Sequence, residues 1–446
     1  LGDIKTRLIK ILLGIEEVDI SAVPEGTILV AEDLTPSMTA GINPANVQGV
    51  LTEIGGKTSH SAIICRSMEI PAVLSIENIV SIVNDGDEVV LDGSTGEAFI
   101  NPEASVVEEY KAKKAKFLEE KAALQKFVGQ KSQTVDGHVV ELVANIGGPD
   151  EAEGFLERDG EGVGLFRSEF LFMESDAIPS EEAQFEAYKK VAIALNGKPV
   201  IIRTLDIGGD KEIPYMGLEK DENPFLGYRA IRLCLDRKED IYKPQLRALL
   251  RASAYGNIRI MIPLVTCIDE LREAKALIEE IKAELDEKNI AYKKDIQVGI
   301  MVETAAASLI ADIFAKEADF FSIGTNDLTQ YTMSVDRGNK KVSYLYSTFN
   351  PAVLRSIRHI IACGREAGIM VGMCGEAASD PMMIPLLLAF GLNEFSMSAS
   401  AILRARKMVT EYSVEELQAV ADKAMSFATT AEVEDYMRKF VEKITG

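Results

Sequence analysis

The sequence lacks any long hydrophobic run and any paired cysteine motif. Its longest apolar stretch, residues 382–392, contains Pro385 and is far shorter than the roughly 20 residues that a membrane-spanning helix needs. The five cysteines show no Cys-x-x-Cys spacing, which is typical of free thiols in a reducing cytosol. We therefore expect a cytoplasmic protein with no signal peptide and no membrane insertion.

Positive charge is scarce as well. The chain has 48 Lys and Arg against 70 Asp and Glu, a formal net charge of −22, which argues against binding to nucleic acid or to an anionic membrane. A length of 446 residues suggests two or more domains. Apolar residues at helical spacing within residues 4–15 predict that the chain opens in a helix, and we expect a truncated N-terminus.

Histidine is rare too, and one of the three histidines stands out. His60 follows two glycines, which allow a turn, and the helix-capping types Thr58 and Ser59. It is therefore predicted at a loop-to-helix junction, where free amide groups favour an anion. With a reference pKa of about 6.5, a neutral imidazole there suits phosphoryl transfer, although a histidine that only caps the helix is the simpler interpretation.

The first part of the chain predicts a small mixed α/β domain over residues 1–103. Short strands are predicted at residues 27–31, 47–54, 72–75, 88–91 and 97–100. Residues 104–130 are rich in Ala, Glu, Lys and Leu, which predicts a long charged helix. That helix is either a solvated surface element or a semi-rigid linker between domains.

From residue 131 to residue 446 strand-like runs alternate with helical patterns. The eight predicted strands are residues 138–146, 162–169, 199–207, 258–265, 296–304, 320–327, 369–376 and 394–400. Most are largely apolar, as expected of strands buried on both faces. The pattern predicts a (β/α)8 TIM-type barrel, with a doubly wound open sheet as the alternative.

Polar residues fall at the carboxyl ends of these strands, where barrel enzymes place their active sites. They are Arg167, Glu169, Arg203, Asp206, Lys211, Glu303, Asn326, Asp327, Cys374 and Glu376, and Arg337 follows nearby. Arginines bind phosphate and carboxylate groups in pairs of hydrogen bonds. Glu303 and Asp327 are hard oxygen ligands that suit Mg²⁺, and the thiol of Cys374 can deliver a proton.

This set of side chains predicts a small, highly anionic substrate. Phosphoenolpyruvate fits, because loss of its phosphoryl group leaves pyruvate enolate, whose carbon must then be protonated. His60 would accept the phosphoryl group. In-line transfer needs reacting atoms roughly 3–3.5 Å apart, so we expect a hinge motion between the two domains.

The sequence resembles Enzyme I of the bacterial phosphoenolpyruvate:sugar phosphotransferase system. The matching stretches are GGKTSH (55–60), GLFRSEFLFM (164–173), RTLDIGGDK (203–211), NPFLGYRAIR (223–232), GIMVET (299–304), FFSIGTNDLTQY (320–331) and GMCGE (372–376). The resemblance implies a phosphohistidine swivelling domain before the barrel, with His60 phosphorylated on Nε2. It also implies that the phosphoryl group passes to the histidine-containing phosphocarrier protein, in the service of sugar transport, and that the barrel forms a homodimer.

The resemblance also implies a role for each site residue. Arg167, Arg203, Asn326, Asp327 and Arg337 would bind phosphoenolpyruvate, Glu303 and Asp327 would hold Mg²⁺, and Cys374 would be the proton donor, with secondary roles for Thr39, Lys211 and Arg229. The helical subdomain that docks the carrier in the family is not found here, so we expect weak transfer to the carrier.

Three other functions stay open. A fragment of a pyruvate phosphate dikinase or phosphoenolpyruvate synthase would share the histidine domain and the barrel, but these enzymes need an ATP-grasp domain. A non-catalytic phosphocarrier or regulatory module would keep the fold and lose some of the site residues. Those expected to be lost are all present, namely Arg167, Glu303, Asp327 and Cys374. A magnesium-dependent barrel lyase acting on pyruvate would leave His60 without a role.

Overall fold

The computed structural model describes residues 20–34, 38, 41–55, 62, 65, 68–156, 158–209 and 213–445. Its contacts divide the chain into two compact units, with the division between Ala123 and Leu124. The helix predicted within residues 1–15 and the predicted loop-to-helix junction at His60 lie outside the described ranges.

The first unit combines two small sheets. Strands β1 (Thr27–Ala31), β2 (Val47–Thr52) and β3 (Ala72–Val73) form a parallel sheet in that order, and β4 (Val89–Asp92) pairs antiparallel with β5 (Glu97–Ile100). Short helices lie at Ile20–Ala22 and Ile79–Ile82. The five predicted strands are confirmed, although β2 and β3 each end two residues earlier than predicted.

A long helix, Ala104–Leu124, follows β5 and has no buried residue. Surface ion pairs such as Lys113–Glu109, at 2.8 Å, lie along it. A 3₁₀ turn, Gln125–Phe127, comes next, and Gly129 then takes a φ of +73°, which a helix cannot continue through. The predicted helix is therefore confirmed, but it is shorter than residues 104–130.

The second unit is a closed barrel of eight parallel strands. They are β6 (Glu141–Ile146), β7 (Val163–Arg167), β8 (Pro199–Arg203), β9 (Asn257–Ile262), β10 (Val298–Val302), β11 (Phe320–Ile323), β12 (Met370–Met373) and β13 (Glu394–Met397). Strand β13 closes the barrel on β6, with Ser396 beside Val143. The predicted (β/α)8 barrel is confirmed, and the open-sheet alternative is wrong.

Helices surround the strands. They are Glu151–Leu156, Glu169–Met173, Glu181–Ala194, Ile231–Asp236, Lys243–Ser253, Ile268–Glu287, Ala305–Leu309, Ala311–Phe314, Thr325–Met333, Pro351–Ala367, Ile384–Phe390, Ile402–Glu411, Val414–Met425 and Thr430–Thr445. The helix Pro351–Ala367 shows how local sequence sets their limits. Asn350 caps its first turn by accepting from the Ala352 amide, and Gly368, at φ 72°, ends it.

Most of the core lies between the strands and these helices. A smaller cluster fills the barrel interior and consists of Leu165, Ile201, Met261, Met301, Phe320 and Cys374. Cys374 directly follows β12, so this inner cluster reaches the carboxyl ends of the strands. In the part of the chain that the structure describes, no helix is both long and apolar enough to cross a membrane.

Glu394, the first residue of β13, is a buried carboxyl group without a hydrogen-bond partner among the described residues. A Cβ on Gly372 would lie 2.7 Å from its Oε1, so the group is tightly enclosed. Burial, and to a smaller extent Glu141, raises the pKa of Glu394 to about 8, with Arg259 opposing the shift. The folded protein therefore holds a proton that the unfolded chain releases near its usual pKa of about 4.3.

We expect Glu394→Gln to stabilise the second unit at neutral pH. Because the folded-state pKa is raised, the wild type is most stable below the unfolded value and loses stability as the pH rises toward 8. The difference in the free energy of unfolding should widen by up to about 1.4 kcal/mol per pH unit between pH 5 and 8. Urea denaturation across this range measures it. Exposed Glu287→Gln is the control, and an equally flat profile for both variants would contradict the prediction.

Candidate active site

Charged side chains gather where the barrel strands end. Arg167 and Arg203 are the last residues of β7 and β8, and Glu303 directly follows β10. Asp327 lies in the first turn of the helix after β11, and Cys374 directly follows β12. Because the strands are parallel, these ends open on one rim of the barrel.

A series of buried ion pairs connects the ends of β7, β8 and β11. The Arg203 Nη2 lies 2.5 Å from Glu169 Oε1 and 3.1 Å from Asp206 Oδ2. Asp206 Oδ1 accepts from the Arg229 Nη2 at 2.8 Å, and that nitrogen lies 3.3 Å from Asp327 Oδ2. Both guanidinium groups are therefore fixed in place before any substrate arrives, since moving either would break ion pairs with buried carboxylates.

Arg229 has a more central place than its predicted secondary role suggested. It is buried, and its Nη1 donates to the Tyr331 hydroxyl at 3.2 Å, while that hydroxyl donates to the Phe225 carbonyl. A Cβ on Gly208, at φ +103°, would lie 2.5 Å from the Arg229 Cβ, so the loop after β8 needs glycine there.

Tyr331 was not identified from the sequence. One signal was present, because Asp327 and Tyr331 are four residues apart in one helix and so lie on the same face. That face bears the two groups that contact Arg229.

Glu303 is a buried carboxyl group, and its Oε1 accepts from the Leu264 amide at 2.7 Å. Burial raises the pKa of Glu303, and the nearby carboxylates of Asp327 and Asp206 add to the shift. A Cβ on Gly324 would lie 2.6 Å from the Glu303 Oε2, so glycine leaves space for this carboxyl group. A divalent cation would relieve the repulsion among these acids.

The donor set fits Mg²⁺ held partly by a substrate. Among the described residues no group of three or more His, Cys, Asp or Glu is arranged to hold a metal. Glu303 and Asp327 would therefore supply two ligands at most. Mg²⁺ commonly binds through one or two carboxylates together with water and substrate phosphate, so this small set suits it better than a metal held by protein alone.

Two polar side chains at the rim have no partner within the described residues. Arg167 is half-buried and forms neither a hydrogen bond nor an ion pair there, and the side-chain amide of half-buried Asn326 forms no hydrogen bond there. Arg337 is 32% exposed, with its Nη1 3.6 Å from Asp327 Oδ1. These three groups offer donors to an anionic ligand.

Cys374 places a thiol beneath this charged rim. It is 6% exposed, and burial raises its pKa to about 11 despite the opposing charge of Arg203, so it stays protonated at neutral pH. Asn145, at the end of β6, donates from Nδ2 to the Cys374 carbonyl at 3.1 Å and accepts from the Ser396 hydroxyl at 2.6 Å. Asn145 is a second site residue that the sequence did not reveal.

The structure thus brings together the predicted barrel residues Arg167, Arg203, Arg229, Glu303, Asn326, Asp327, Arg337 and Cys374. Glu376, also predicted at a strand end, is exposed at the start of a 3₁₀ turn. His60, Thr39 and Lys211 lie outside the described residues.

Comparison with known proteins identifies the family. Residues 23–96 match the family model "PEP-utilising enzyme, mobile domain", and residues 121–414 match "PEP-utilising enzyme, PEP-binding domain". A phosphoenolpyruvate-protein phosphotransferase of Staphylococcus carnosus is 51% identical over 99% of this chain and 77% of its own length. Those of Bacillus subtilis and Priestia megaterium are 51% and 49% identical over 98% of the chain, and 76% of each relative is covered. The chain therefore belongs to the phosphoenolpyruvate-protein phosphotransferase family.

Proposed function

We propose that the protein transfers the phosphoryl group of phosphoenolpyruvate to its own His60, releases pyruvate, and then passes the group to a histidine-containing phosphocarrier protein. The observation that carries the proposal is the series of buried ion pairs that holds Arg203 and Arg229 at the same rim as Glu303 and Cys374. A rim with several fixed cations suits a small molecule with both a phosphate and a carboxylate.

Each proposed residue has its own role in binding or in phosphoryl transfer. Arg203, Arg229 and Arg167 bind the phosphate and carboxylate oxygens, and Asn326 and Arg337 donate from the outer side. The His60 Nε2 lone pair forms a bond to phosphorus, and the bond from phosphorus to the enol oxygen breaks, with its electron pair passing to that oxygen.

Cys374 completes the reaction in this proposal. The enolate that is released takes the thiol proton at its methylene carbon and becomes pyruvate, and the thiolate regains a proton from water. The raised pKa of Cys374 supports this role, because the group carries its proton at neutral pH. Mg²⁺ bound by Glu303 and Asp327 would neutralise charge on the phosphate and the enolate oxygen.

We also propose a cellular location, an oligomeric state and a downstream system for the protein. We place it in the cytoplasm, as a homodimer through the barrel, with a sugar phosphotransferase system downstream. The names of the relatives support this function over that of a fragment of a pyruvate phosphate dikinase or phosphoenolpyruvate synthase, since those relatives match nearly the whole chain. Thr39 and Lys211 have secondary roles in this proposal: Thr39 assists near His60, and Lys211 assists near the anion.

Intact mass tests the proposal directly. Incubation with phosphoenolpyruvate and Mg²⁺ should add one acid-labile phosphoryl group to the wild type and none to His60→Ala, while phosphoenolpyruvate still binds His60→Ala in calorimetry. The other two histidines offer matched controls, and His138→Ala and His359→Ala should both be phosphorylated.

Each other outcome identifies a different function. Phosphorylation that requires ATP would indicate a dikinase or synthase fragment. Binding of phosphoenolpyruvate without any gain of mass would indicate a non-catalytic module, and turnover of pyruvate without a phosphoprotein would indicate a barrel lyase.

A further inference from the structure

One buried side-chain amide connects the segments that follow β7 and β8. Gln245 lies on the helix Lys243–Ser253 and is completely buried. Its Oε1 accepts from the Leu205 amide at 2.8 Å, and its Nε2 donates to the Ser168 hydroxyl at 3.0 Å and to the Tyr188 hydroxyl at 3.1 Å. Among the described residues, its side chain forms no hydrogen bond with a residue proposed to bind substrate.

Two of these hydrogen bonds hold the backbone at Arg203 and just after it. The Ser168 hydroxyl accepts from Gln245 and donates to the Arg203 carbonyl at 2.6 Å. Beyond Arg203 the chain leaves the sheet: the Thr204 amide still donates to the Met261 carbonyl of β9, but the Leu205 amide has Gln245 instead of a strand. Gln245 therefore supplies the hydrogen-bond acceptor that a neighbouring strand no longer offers beyond the end of β8.

The segments held in this way carry most of the charged rim. Ser168 lies between Arg167 and Glu169, and Leu205 precedes Asp206. Glu169 and Asp206 are the two carboxylates that fix the Arg203 guanidinium. A shift of either segment would move the arginine and its partners together.

We propose that Gln245 is a positioning residue, which sets the geometry of Arg203 for phosphoenolpyruvate without touching the substrate; this inference rests on the proposed function. Only an amide side chain combines one acceptor with two donors at the end of a side chain of this length. A buried Leu205 amide without an acceptor would be costly, so the segment would shift to find another partner.

Gln245→Met, which has a similar shape but no hydrogen bonds, should lower kcat/KM for His60 phosphorylation by about 100-fold, the effect expected of a displacement near 1 Å. Tyr188→Phe is the matched control. It removes a buried hydroxyl from the same amide but leaves the links to Ser168 and Leu205, so it should lose stability and keep kcat/KM close to the wild type. Rates at varied phosphoenolpyruvate, with thermal melting of each variant, measure both quantities.

Gln245→Glu gives a readout that a purely structural role would not move. As a carboxylate the new group has no donor for the Ser168 hydroxyl, which then turns toward it and releases the Arg203 carbonyl. Once protonated, the carboxyl donates again and restores the link. Its kcat/KM relative to the wild type should therefore recover as the pH falls.

Equal loss of kcat/KM in Tyr188→Phe and Gln245→Met, or wild-type kcat/KM in Gln245→Met, would overturn the inference. If Gln245→Met does not fold, the variant Ser168→Ala is used in its place. It breaks the same link to Arg203, and the same outcomes apply. If the wild type takes no phosphoryl group, the proposed function fails separately, and phosphoenolpyruvate affinity with Mg²⁺ in calorimetry replaces kcat/KM: weakening in Gln245→Met alone supports the role, and equal affinities exclude it.

Discussion

Arg203→Lys is expected to lower kcat/KM for phosphorylation of the protein by phosphoenolpyruvate about 100- to 1,000-fold, the loss typical of removing one fixed donor from a charged site. The buried guanidinium contacts Glu169 and Asp206 through Nη2, and its Nη1 lies 3.7 Å from the Met301 sulfur. A lysine ammonium would satisfy the two carboxylates but would have no planar pair of donors left for the substrate. Single-turnover rates at varied phosphoenolpyruvate measure the loss.

The choice of lysine keeps the charge balance of the site. Arg203→Ala would remove the cation that two buried carboxylates share and would cost about 3–5 kcal/mol of stability, so a loss of activity there would be ambiguous. Arg272→Lys is the control, because Arg272 pairs with Glu317 on the surface at 2.6 Å. If Arg203→Lys and Arg272→Lys both react at the wild-type rate, Arg203 does not bind the substrate.

The barrel was predictable because its strands are buried on both faces and read as continuous apolar runs. The ends of these strands were harder to predict. The prediction extended the second barrel strand to Glu169, but β7 ends at Arg167 and Glu169 begins a helix. A polar residue after an apolar run looks the same whether the strand continues or turns, and here the turn brings Glu169 to Arg203.

Residue types at the rim were predictable, but their partners were not. Arg203 and Glu169 are separated by 34 residues and Arg229 and Asp327 by 98, and no local pattern relates such positions. Gln245 left no signal at all, since it lies on a helix whose other buried residues are mostly apolar. The sequence therefore predicts which residue types gather at the rim, and the structure is needed to see what holds them.

Arg406 fixes the opposite end of the barrel, where we expect substitutions to change stability and not catalysis. It is 1% exposed and donates to the Asp159 carboxylate, to the Ser132 hydroxyl at 3.1 Å and to the Phe127 carbonyl at 3.2 Å. These partners precede β6 and β7, so one side chain on the helix Ile402–Glu411 holds the segments that lead into both strands.

Arg406→Met should therefore lower the free energy of unfolding of the second unit by about 3–5 kcal/mol, because it removes the buried cation and the donor that the Asp159 carboxylate, the Ser132 hydroxyl and the Phe127 carbonyl share. Urea denaturation followed by circular dichroism measures the change. Arg358→Met is the matched control: its side chain is 48% exposed and pairs with Asp422 at 3.3 Å, and a surface pair of this kind is worth about 0–1 kcal/mol. Below its transition the Arg406→Met protein should phosphorylate His60 at nearly the wild-type rate, since the hydrogen-bond partners of Arg406 lie before β6 and β7, at the end of the barrel opposite the rim. A loss of stability no larger than in Arg358→Met would show that the buried arginine contributes nothing beyond a surface ion pair. A loss of rate in fully folded protein would show that the two ends of the barrel are coupled and do not act independently.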